Sequence, residues 1–282
     1  MTAHQWAPVS PCGPSCVRPA ARAGAHRVAL RLAAAAGLML AGIALAVVFA
    51  LLWRTARERL VRGWFRALMR AFGIRFEVRG DPAPQSGALV VSNHVSWLDV
   101  VALMAVCPMR VLAKTEVRSW PVVGPLAGRV GTLYIDRERL SALPGAVRTI
   151  AAALRGGAVV GAFPEGTTWC GRASGSYRPA VFQAAVDAQV PVRPVALRFL
   201  TAEREVASSA AFVGEDTLLK SVLAVAREPE LVVELTVLPA LDAAAVGDRR
   251  ELARRAQRAV AAVTGLAGPR MPHLPEECAA AA

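Results

Sequence analysis

Seven short apolar runs, separated by longer segments, most constrain what this chain can fold into. They cover residues 75–78, 88–91, 110–113, 132–135, 158–163, 192–197 and 231–238. Runs that are apolar on both faces are typical of parallel strands covered by helices. Helical segments are indicated over residues 96–105, 140–155, 180–188 and 248–266. The sequence therefore predicts an α/β domain over residues 75–266, with a mostly parallel central sheet flanked by helices.

An uncharged segment of 22 residues runs from Leu32 to Trp53, with arginines on both sides. Its length is sufficient to span a bilayer, so it predicts a membrane helix over residues 28–54. A cleaved signal peptide and a buried helix of a soluble domain are the two alternatives. Arginines on both flanks decide the orientation poorly, with a slight preference for the downstream side to face the cytoplasm.

The segment from Arg57 to Phe72 places apolar residues, including Trp64 and Phe65, at helical spacing with arginines between them. It predicts an amphipathic helix over residues 55–74 that lies in the membrane interface. The alternative is a helix that packs on the domain. Residues 1–27, rich in Pro, Ala and Arg, are predicted to be a disordered basic tail, and residues 267–282 a second tail.

The net charge of +12 is concentrated at the N-terminal end of the chain. Residues 1–80 hold 12 Arg and 2 acidic residues (net +10), whereas residues 81–282 hold 21 basic and 19 acidic residues (net +2). A nearly neutral body argues against nucleic acid as a partner, and positive charge beside an apolar segment indicates an anionic membrane surface. The five cysteines are scattered without paired ligand spacing, so no metal site is expected.

His94 stands five residues ahead of Asp99, just after the second apolar run. Histidine is the side chain best suited to accept a proton at neutral pH, and a nearby carboxylate can orient it. On one continuous helix the two side chains would point well over a right angle apart. They can meet only if His94 precedes a helix and Asp99 lies in its first turns. Alternatively, Ser96 and Asp99 form a helix capping box, and both roles can hold together. The other histidines, His4, His26 and His273, lie in the predicted tails and flanks.

Three further blocks lie where predicted strands begin or end, which is where open α/β sheets commonly bind ligands. They are GTLYIDR at residues 131–137, FPEGT at residues 163–167 and VPVRPV at residues 190–195. Each is a weak signal by itself, because Asp-Arg is commonly a surface pair and Pro-Glu-Gly a turn. Their order and combination carry more information than any single block.

Together with NHVSWLD at residues 93–99, these blocks resemble the four ordered motifs of the glycerolipid acyltransferase family, typified by 1-acylglycerol-3-phosphate acyltransferase. The resemblance covers roughly residues 76–240. It implies acyl transfer from a thioester to an alcohol without a protein-bound intermediate. By this resemblance, His94 is the base for the acceptor hydroxyl and Asp99 orients it. The corresponding acceptor-binding positions are Arg137, Glu165, Gly166 and Thr167.

Elementary chemistry agrees with these implied roles. An alcohol is a poor nucleophile until a base takes its proton, and Arg137 offers the bidentate contact that a phosphate prefers. Amides at a helix start after Gly166 could hold an anion or the thioester oxyanion. Glu165 would repel a phosphate and is expected to hold Arg137 or a glycerol hydroxyl.

One departure from the family pattern leaves the acceptor headgroup open. Family members often continue the third block as Thr-Arg-Ser, whereas this chain has Thr167-Thr168-Trp169. A phosphate-contacting arginine is therefore replaced, and Arg172 or Arg178 are the candidates to substitute for it.

The sequence thus indicates a membrane-bound acyltransferase that esterifies the hydroxyl of a lysolipid, with lysophosphatidate as the first expectation. Acyl-CoA or acyl-carrier protein is the expected donor, and no cofactor is expected. The same chemistry on lyso-ornithine lipid or another lysophospholipid is the alternative. An alternative of another class is a thioesterase or lipid hydrolase in which His94 activates water, although the sequence has no Gly-x-Ser-x-Gly motif. The expected location is the cell membrane, with the catalytic domain facing the cytoplasm.

Overall fold

A seven-stranded sheet lies at the centre of the computed structural model, which describes residues 10–18, 22–48, 52–84, 86–120, 123–135, 140–214 and 216–266. The strands are β1 (Arg75–Gly80), β2 (Ala88–Ser92), β3 (Arg110–Lys114), β4 (Leu133–Ile135), β5 (Val159–Ala162), β6 (Val192–Leu200) and β7 (Val232–Val237). Their order across the sheet is β1-β7-β6-β2-β5-β3-β4. Within this sheet every neighbouring pair is parallel except β6 with β7. The seven predicted strands and the mostly parallel sheet are confirmed.

Helices cover both faces of the sheet. They are α1 (Ala25–Val48), α2 (Arg54–Ala71), α3 (Leu98–Val106), α4 (Val123–Arg129), α5 (Leu143–Arg155), α6 (Ala180–Ala188), α7 (Leu218–Arg227), α8 (Ala243–Val246) and α9 (Arg249–Thr264). The four helices predicted within the domain correspond to α3, α5, α6 and α9. Helices α4, α7 and α8 are additions to the prediction. Helix α7 lies between β6 and β7, and the Thr217 hydroxyl caps its first turn by accepting from the Lys220 N–H (3.3 Å).

Consecutive residues of β2 face opposite layers of the domain, which explains its continuous apolar run. Leu89 and Val91 are buried in the layer that contains residues of α5, α6 and α9. Val90 is buried on the other face, in the layer that contains residues of α2 and α3. Burying one such side chain contributes about 1.5–3 kcal/mol, so each strand position favours an apolar residue. Polar residues appear only where β2 ends, at Ser92 and Asn93, and the candidate active site begins at this point.

Helices α1 and α2 form an antiparallel hairpin. Arg31 of α1 lies beside Gly73, just after α2, while the Trp64 indole N–H of α2 donates to the Leu38 carbonyl of α1 (3.0 Å). By length and composition, Ala25–Leu45 could cross a membrane. Helix α1 begins three residues before the predicted start at residue 28. The amphipathic helix predicted over residues 55–74 corresponds to α2.

The guanidinium of Arg31 joins the hairpin to the domain. It is buried and donates to the carbonyls of Ala226, Glu228 and Pro229, at and just beyond the C-terminal end of α7. A cation is stabilised at that end of a helix because the unpaired carbonyls carry partial negative charge. The Ala23 N–H also donates to the carbonyl of Arg227 (2.8 Å). The N-terminal end of α1 is therefore held on the domain.

The predicted disordered tail over residues 1–27 does not hold for residues 10–18, which pack on the domain. Cys12 is 3% exposed and Cys16 is 0% exposed, and both sulfurs lie close to that of Cys170. The Arg18 N–H donates to the hydroxyl of Ser208, 190 positions away (2.9 Å). Composition could not indicate these contacts, because their partners are far along the chain. Residues 1–9 and 19–21 and the predicted tail 267–282 lie outside the described residues.

Candidate active site

The site begins at the carboxyl end of β2, where Asn93 extends the pairing of β2 with β6 by one residue. Its side-chain Nδ2 donates to the Leu197 carbonyl (2.9 Å), and its Oδ1 accepts from the Leu197 N–H (2.9 Å). The side chain thereby replaces the backbone groups that a continuing strand would supply. Because Asn93 is buried and doubly bonded, it determines the point at which His94 leaves the sheet.

His94 and Asp99 are in direct contact. His94 lies in the turn before α3 and Asp99 in the first turn of that helix, the arrangement that their spacing requires. The distance from His94 Nδ1 to Asp99 Oδ2 is 2.7 Å. Because a carboxylate accepts hydrogen bonds, this contact favours the proton on Nδ1 and leaves Nε2 with a lone pair. The pair can therefore act as an oriented base, and its catalytic role stays a prediction.

The same Asp99 oxygen also holds the turn between His94 and α3. Oδ2 accepts from the N–H groups of Val95 (2.6 Å) and Ser96 (2.9 Å) as well. The two roles considered for Asp99, orienting a histidine and binding backbone amides, therefore occur together. The reciprocal half of a capping box is not formed: α3 begins at Leu98, and the buried Ser96 hydroxyl has no hydrogen-bond partner among the described residues.

The ring and the carbonyl of His94 have partners of their own. The imidazole stacks on Phe163, with centroids 4.0 Å apart and planes inclined by 11°. The His94 carbonyl accepts from the Trp169 N–H (2.8 Å). With Asp99 at one ring edge and Phe163 at one face, the direction of Nε2 is fixed.

Glu165 connects the FPEGT block to the His94 turn. Its Oε2 accepts from the His94 N–H (2.9 Å), and its Oε1 accepts from the Ser174 hydroxyl (2.9 Å) and the Gly175 N–H (3.2 Å). The residue is 4% exposed. Both oxygens are thus engaged by protein donors, which makes Glu165 a positioning residue for His94. Its expected contact with the acceptor stays a prediction.

Burial raises the pKa of Glu165 to about 8, because the charged form loses its hydration. The hydrogen bonds from His94, Ser174 and Gly175 act in the opposite direction, and the charge of Asp99 adds to the increase. The carboxyl group therefore titrates well above the range of an exposed glutamate.

Gly166 and Thr167 follow Glu165 in a loop rather than in a helix. Gly166 has a φ of +78°, a left-handed conformation that favours glycine, and its N–H donates to the Phe163 carbonyl (3.1 Å). Helix α6 begins only at Ala180. The helix start expected after Gly166 is therefore wrong, and the binding of the acceptor by Gly166 and Thr167 stays a prediction. Thr167 is partly exposed in this loop, and Arg137 lies outside the described residues.

Ser174 and Gln257 support the site and are missed by the sequence analysis. Ser174 donates to Glu165, as described above. Gln257 of α9 donates from Nε2 to the Gly175 carbonyl (3.1 Å) and accepts at Oε1 from the Tyr177 N–H (3.1 Å). These partners are 82 and 80 positions from Gln257, so no local spacing could have revealed them.

Comparison with known proteins agrees with this geometry. The sequence model of the family described as Acyltransferase matches residues 60–198. The chain is 35% identical over 211 residues to a 1-acyl-sn-glycerol-3-phosphate acyltransferase of Neisseria meningitidis serogroup B, covering 73% of this chain and 81% of that protein. It is 36% identical over 245 residues to a lyso-ornithine lipid O-acyltransferase of Pseudomonas aeruginosa, covering 83% of this chain and 92% of that protein. The chain belongs to the Acyltransferase family.

The fold of this acyltransferase is also found in a solved structure. The crystal structure of the 1-acyl-sn-glycerophosphate acyltransferase of Thermotoga maritima superimposes with a TM-score of 0.61 at 18% identity, covering 83% of this chain and 96% of that chain. The expected fold class and the resemblance to the family are therefore confirmed, and the protein is an O-acyltransferase.

Replacing Glu165 with Gln should change how the stability of the acyltransferase depends on pH. The pKa of this carboxyl group is raised from 4.5 to about 8 on folding. Its contribution to stability is therefore fully present below about pH 4.5 and is lost as the pH rises to about 8, by up to about 1.4 kcal/mol per pH unit. Gln does not titrate, so the stability advantage of wild type over Glu165→Gln should shrink across this window. Urea unfolding at several pH values measures it, and a constant difference would contradict the assignment.

Proposed function

We propose that this acyltransferase moves a fatty acyl group from acyl-CoA or acyl-carrier protein to the hydroxyl of a lysolipid. The first acceptor is 1-acylglycerol-3-phosphate, which gives phosphatidate. The observation that carries the proposal is the 2.7 Å contact between His94 Nδ1 and Asp99 Oδ2, which prepares Nε2 as a base. The names of the two relatives support a lysolipid as the acceptor class.

The reaction needs one base and no protein-bound acyl group. Nε2 of His94 takes the proton of the acceptor hydroxyl as its oxygen attacks the thioester carbonyl. The tetrahedral intermediate collapses, the C–S bond breaks, and the departing thiolate takes the proton from the imidazolium. Asp99 stabilises that imidazolium and keeps the ring in the orientation that both proton transfers require.

His94→Ala should lower turnover by about 10²–10⁴-fold while the protein stays folded, because the hydroxyl then has no positioned base. His26→Ala is the matched control, since His26 is exposed on α1 and outside the site. Acyl transfer by the purified proteins, with thermal unfolding as the test of folding, measures the effect. Near-normal turnover in folded His94→Ala would exclude the mechanism.

Asp99→Asn in the same assays should lower both turnover and stability. Oδ2 now accepts hydrogen bonds from His94 and from two backbone amides, and an Asn side chain can accept only some of them. Normal turnover with a small loss of stability would instead mean that Asp99 only shapes the turn.

The same reaction on a lyso-ornithine lipid is a second candidate, favoured by the contacts of Thr168. This residue stands where family members often carry arginine, and its hydroxyl donates to the Phe212 carbonyl. It therefore contributes no cation to an acceptor phosphate. The lyso-ornithine lipid relative also aligns over a larger share of this chain than the other relative named above.

Arg137→Ala distinguishes the two acceptors. A lost bidentate phosphate contact, worth roughly 1.5–3 kcal/mol, should lower kcat/KM for lysophosphatidate by about tenfold to a hundredfold. The change for lyso-ornithine lipid, which has no phosphate, should be small. Arg148→Ala, at an exposed position of α5, is the control. Equal losses on both lipids would make Arg137 structural, and a wild-type preference for lyso-ornithine lipid would favour the second candidate.

We infer that the hairpin of α1 and α2 attaches the enzyme to the membrane from one side, with the catalytic domain in the cytoplasm. The residues before α1 contact the domain at Ala23 and Arg18, so both ends of the hairpin are on the same side. Helix α2 carries six arginines, and each would cost about 2.5–3.5 kcal/mol at the centre of a bilayer. The exposed large apolar side chains of α1, which would enter the lipid, are Leu30, Leu40, Ile43 and Leu45.

Epitope tags at the two chain ends test this attachment. In sealed inside-out vesicles, protease should remove the N-terminal and the C-terminal tag together, because both face the cytoplasm. The same tags should be protected in right-side-out vesicles. Opposite accessibility of the two tags would show that α1 spans the membrane as a single helix.

A further inference from the structure

Three sulfur atoms lie together between the N-terminal segment and the loop that follows Glu165. The Sγ atoms of Cys12, Cys16 and Cys170 are within 4.8 Å of one another, and all three residues are buried. Cys16 is disulfide-bonded, whereas Cys12 and Cys170 are thiols. The proposed acyl transfer uses none of them, so the Cys12–Cys170 pair needs an explanation of its own.

The two thiols of this pair are not equivalent. The hydrogen bond from the Cys170 thiol holds the pKa of the Cys12 thiol below its ordinary value, and the Ser10 hydroxyl adds to this effect. The same hydrogen bond, together with burial, raises the pKa of Cys170. Since the thiolate is the nucleophilic form of cysteine, Cys12 is the sulfur that reacts first with an oxidant. By contrast, burial raises the pKa of the Cys107 thiol to about 11.

The position of the pair connects it to the active site. Cys170 directly follows Trp169, whose N–H donates to the His94 carbonyl (2.8 Å). Cys12 belongs to the segment held on the domain through Arg18 and Ser208. A disulfide has a sulfur–sulfur distance of about 2.05 Å, so closing one here draws the two segments together. The backbone at Trp169 would move with Cys170.

We propose that Cys12 and Cys170 are a reversible oxidation site whose disulfide displaces the loop that supports His94. The oxidant class is a hydroperoxide, because a small molecule reaches buried sulfurs more readily than a bulky disulfide. The Cys12 thiolate attacks a peroxide oxygen, the O–O bond breaks, and a sulfenic acid forms. The Cys170 sulfur then attacks the Cys12 sulfur and water leaves. In sum, two thiols and one hydrogen peroxide give one disulfide and two waters, and a dithiol reductant reverses the reaction.

Mass spectrometry of the full-length protein tests the cross-link. After hydrogen peroxide and alkylation, a proteolytic digest should contain a peptide pair joining residues 12 and 170, which disappears on treatment with dithiothreitol. Cys12→Ser and Cys170→Ser should each abolish the cross-linked peptide pair. Cys107→Ser, which alters a buried thiol elsewhere in the core, should leave it unchanged.

Hydrogen exchange tests the displacement. Peptides covering residues 93–99 should exchange faster in the oxidised protein, and this change should be absent in Cys12→Ser. A further expectation rests on the proposed function: turnover should fall by about tenfold on oxidation and recover with dithiothreitol. A misplacement of catalytic groups by about 1 Å can lower the rate on the order of 10²-fold.

Four outcomes would overturn the proposal. In the first, no peptide pair joining residues 12 and 170 forms; in the second, hydrogen exchange of residues 93–99 is unchanged in the cross-linked protein. In the third, the faster hydrogen exchange also occurs in Cys12→Ser. In the fourth, a bound metal ion protects the thiols until a chelator removes it. A reduced wild type that transfers no acyl group would count against the proposed function instead, because the cross-link and the exchange are measured without substrate.

Discussion

One buried carboxylate oxygen, Oδ2 of Asp99, organises the candidate active site of this acyltransferase. It accepts from the imidazole of His94 and from the backbone amides of Val95 and Ser96. A carboxylate with no exposed side-chain surface is costly unless it is hydrogen-bonded. The three donors to Oδ2 offset part of that cost, whereas Oδ1 has no hydrogen-bond partner among the described residues. Because the same atom orients the histidine and shapes the turn that carries it, the orientation of His94 and the local fold depend on each other.

Glu165 extends this arrangement to a second block of the chain. It binds the His94 N–H from a position 71 residues further on and is itself held by Ser174 and Gly175. Two buried carboxyl groups near one site would repel each other if both were charged. The raised pKa of Glu165 relieves that repulsion, because this carboxyl group can hold a proton while it still accepts hydrogen bonds.

The hairpin of α1 and α2 and the candidate active site are parts of one packed assembly. Phe72, at the end of α2, packs edge-on against Trp97 with ring centroids 5.7 Å apart, and Trp97 precedes α3. The Trp97 indole N–H donates to the Ser221 hydroxyl of α7 (3.2 Å), and the C-terminal end of α7 is bound by Arg31 of α1. In the proposed function, a lipid that reaches the hairpin is therefore already close to the His94 turn.

The sequence by itself determined the seven strands, four helices of the domain and the contact between His94 and Asp99. Strands buried on both faces, such as β2, need apolar residues at every position, and the five-residue spacing of His94 and Asp99 allows contact only across a helix start. Only the tertiary structure decided which way Glu165 points, that Asn93 pairs with Leu197, that Gln257 supports the loop behind the site, and that Cys12 meets Cys170. It also replaced the helix expected after Gly166 with a loop. The physical reason is separation along the chain: hydrophobic periodicity and turn chemistry act over a few residues. These contacts join segments 71 to 158 positions apart, which meet only in the assembled fold of strands, helices and N-terminal segment.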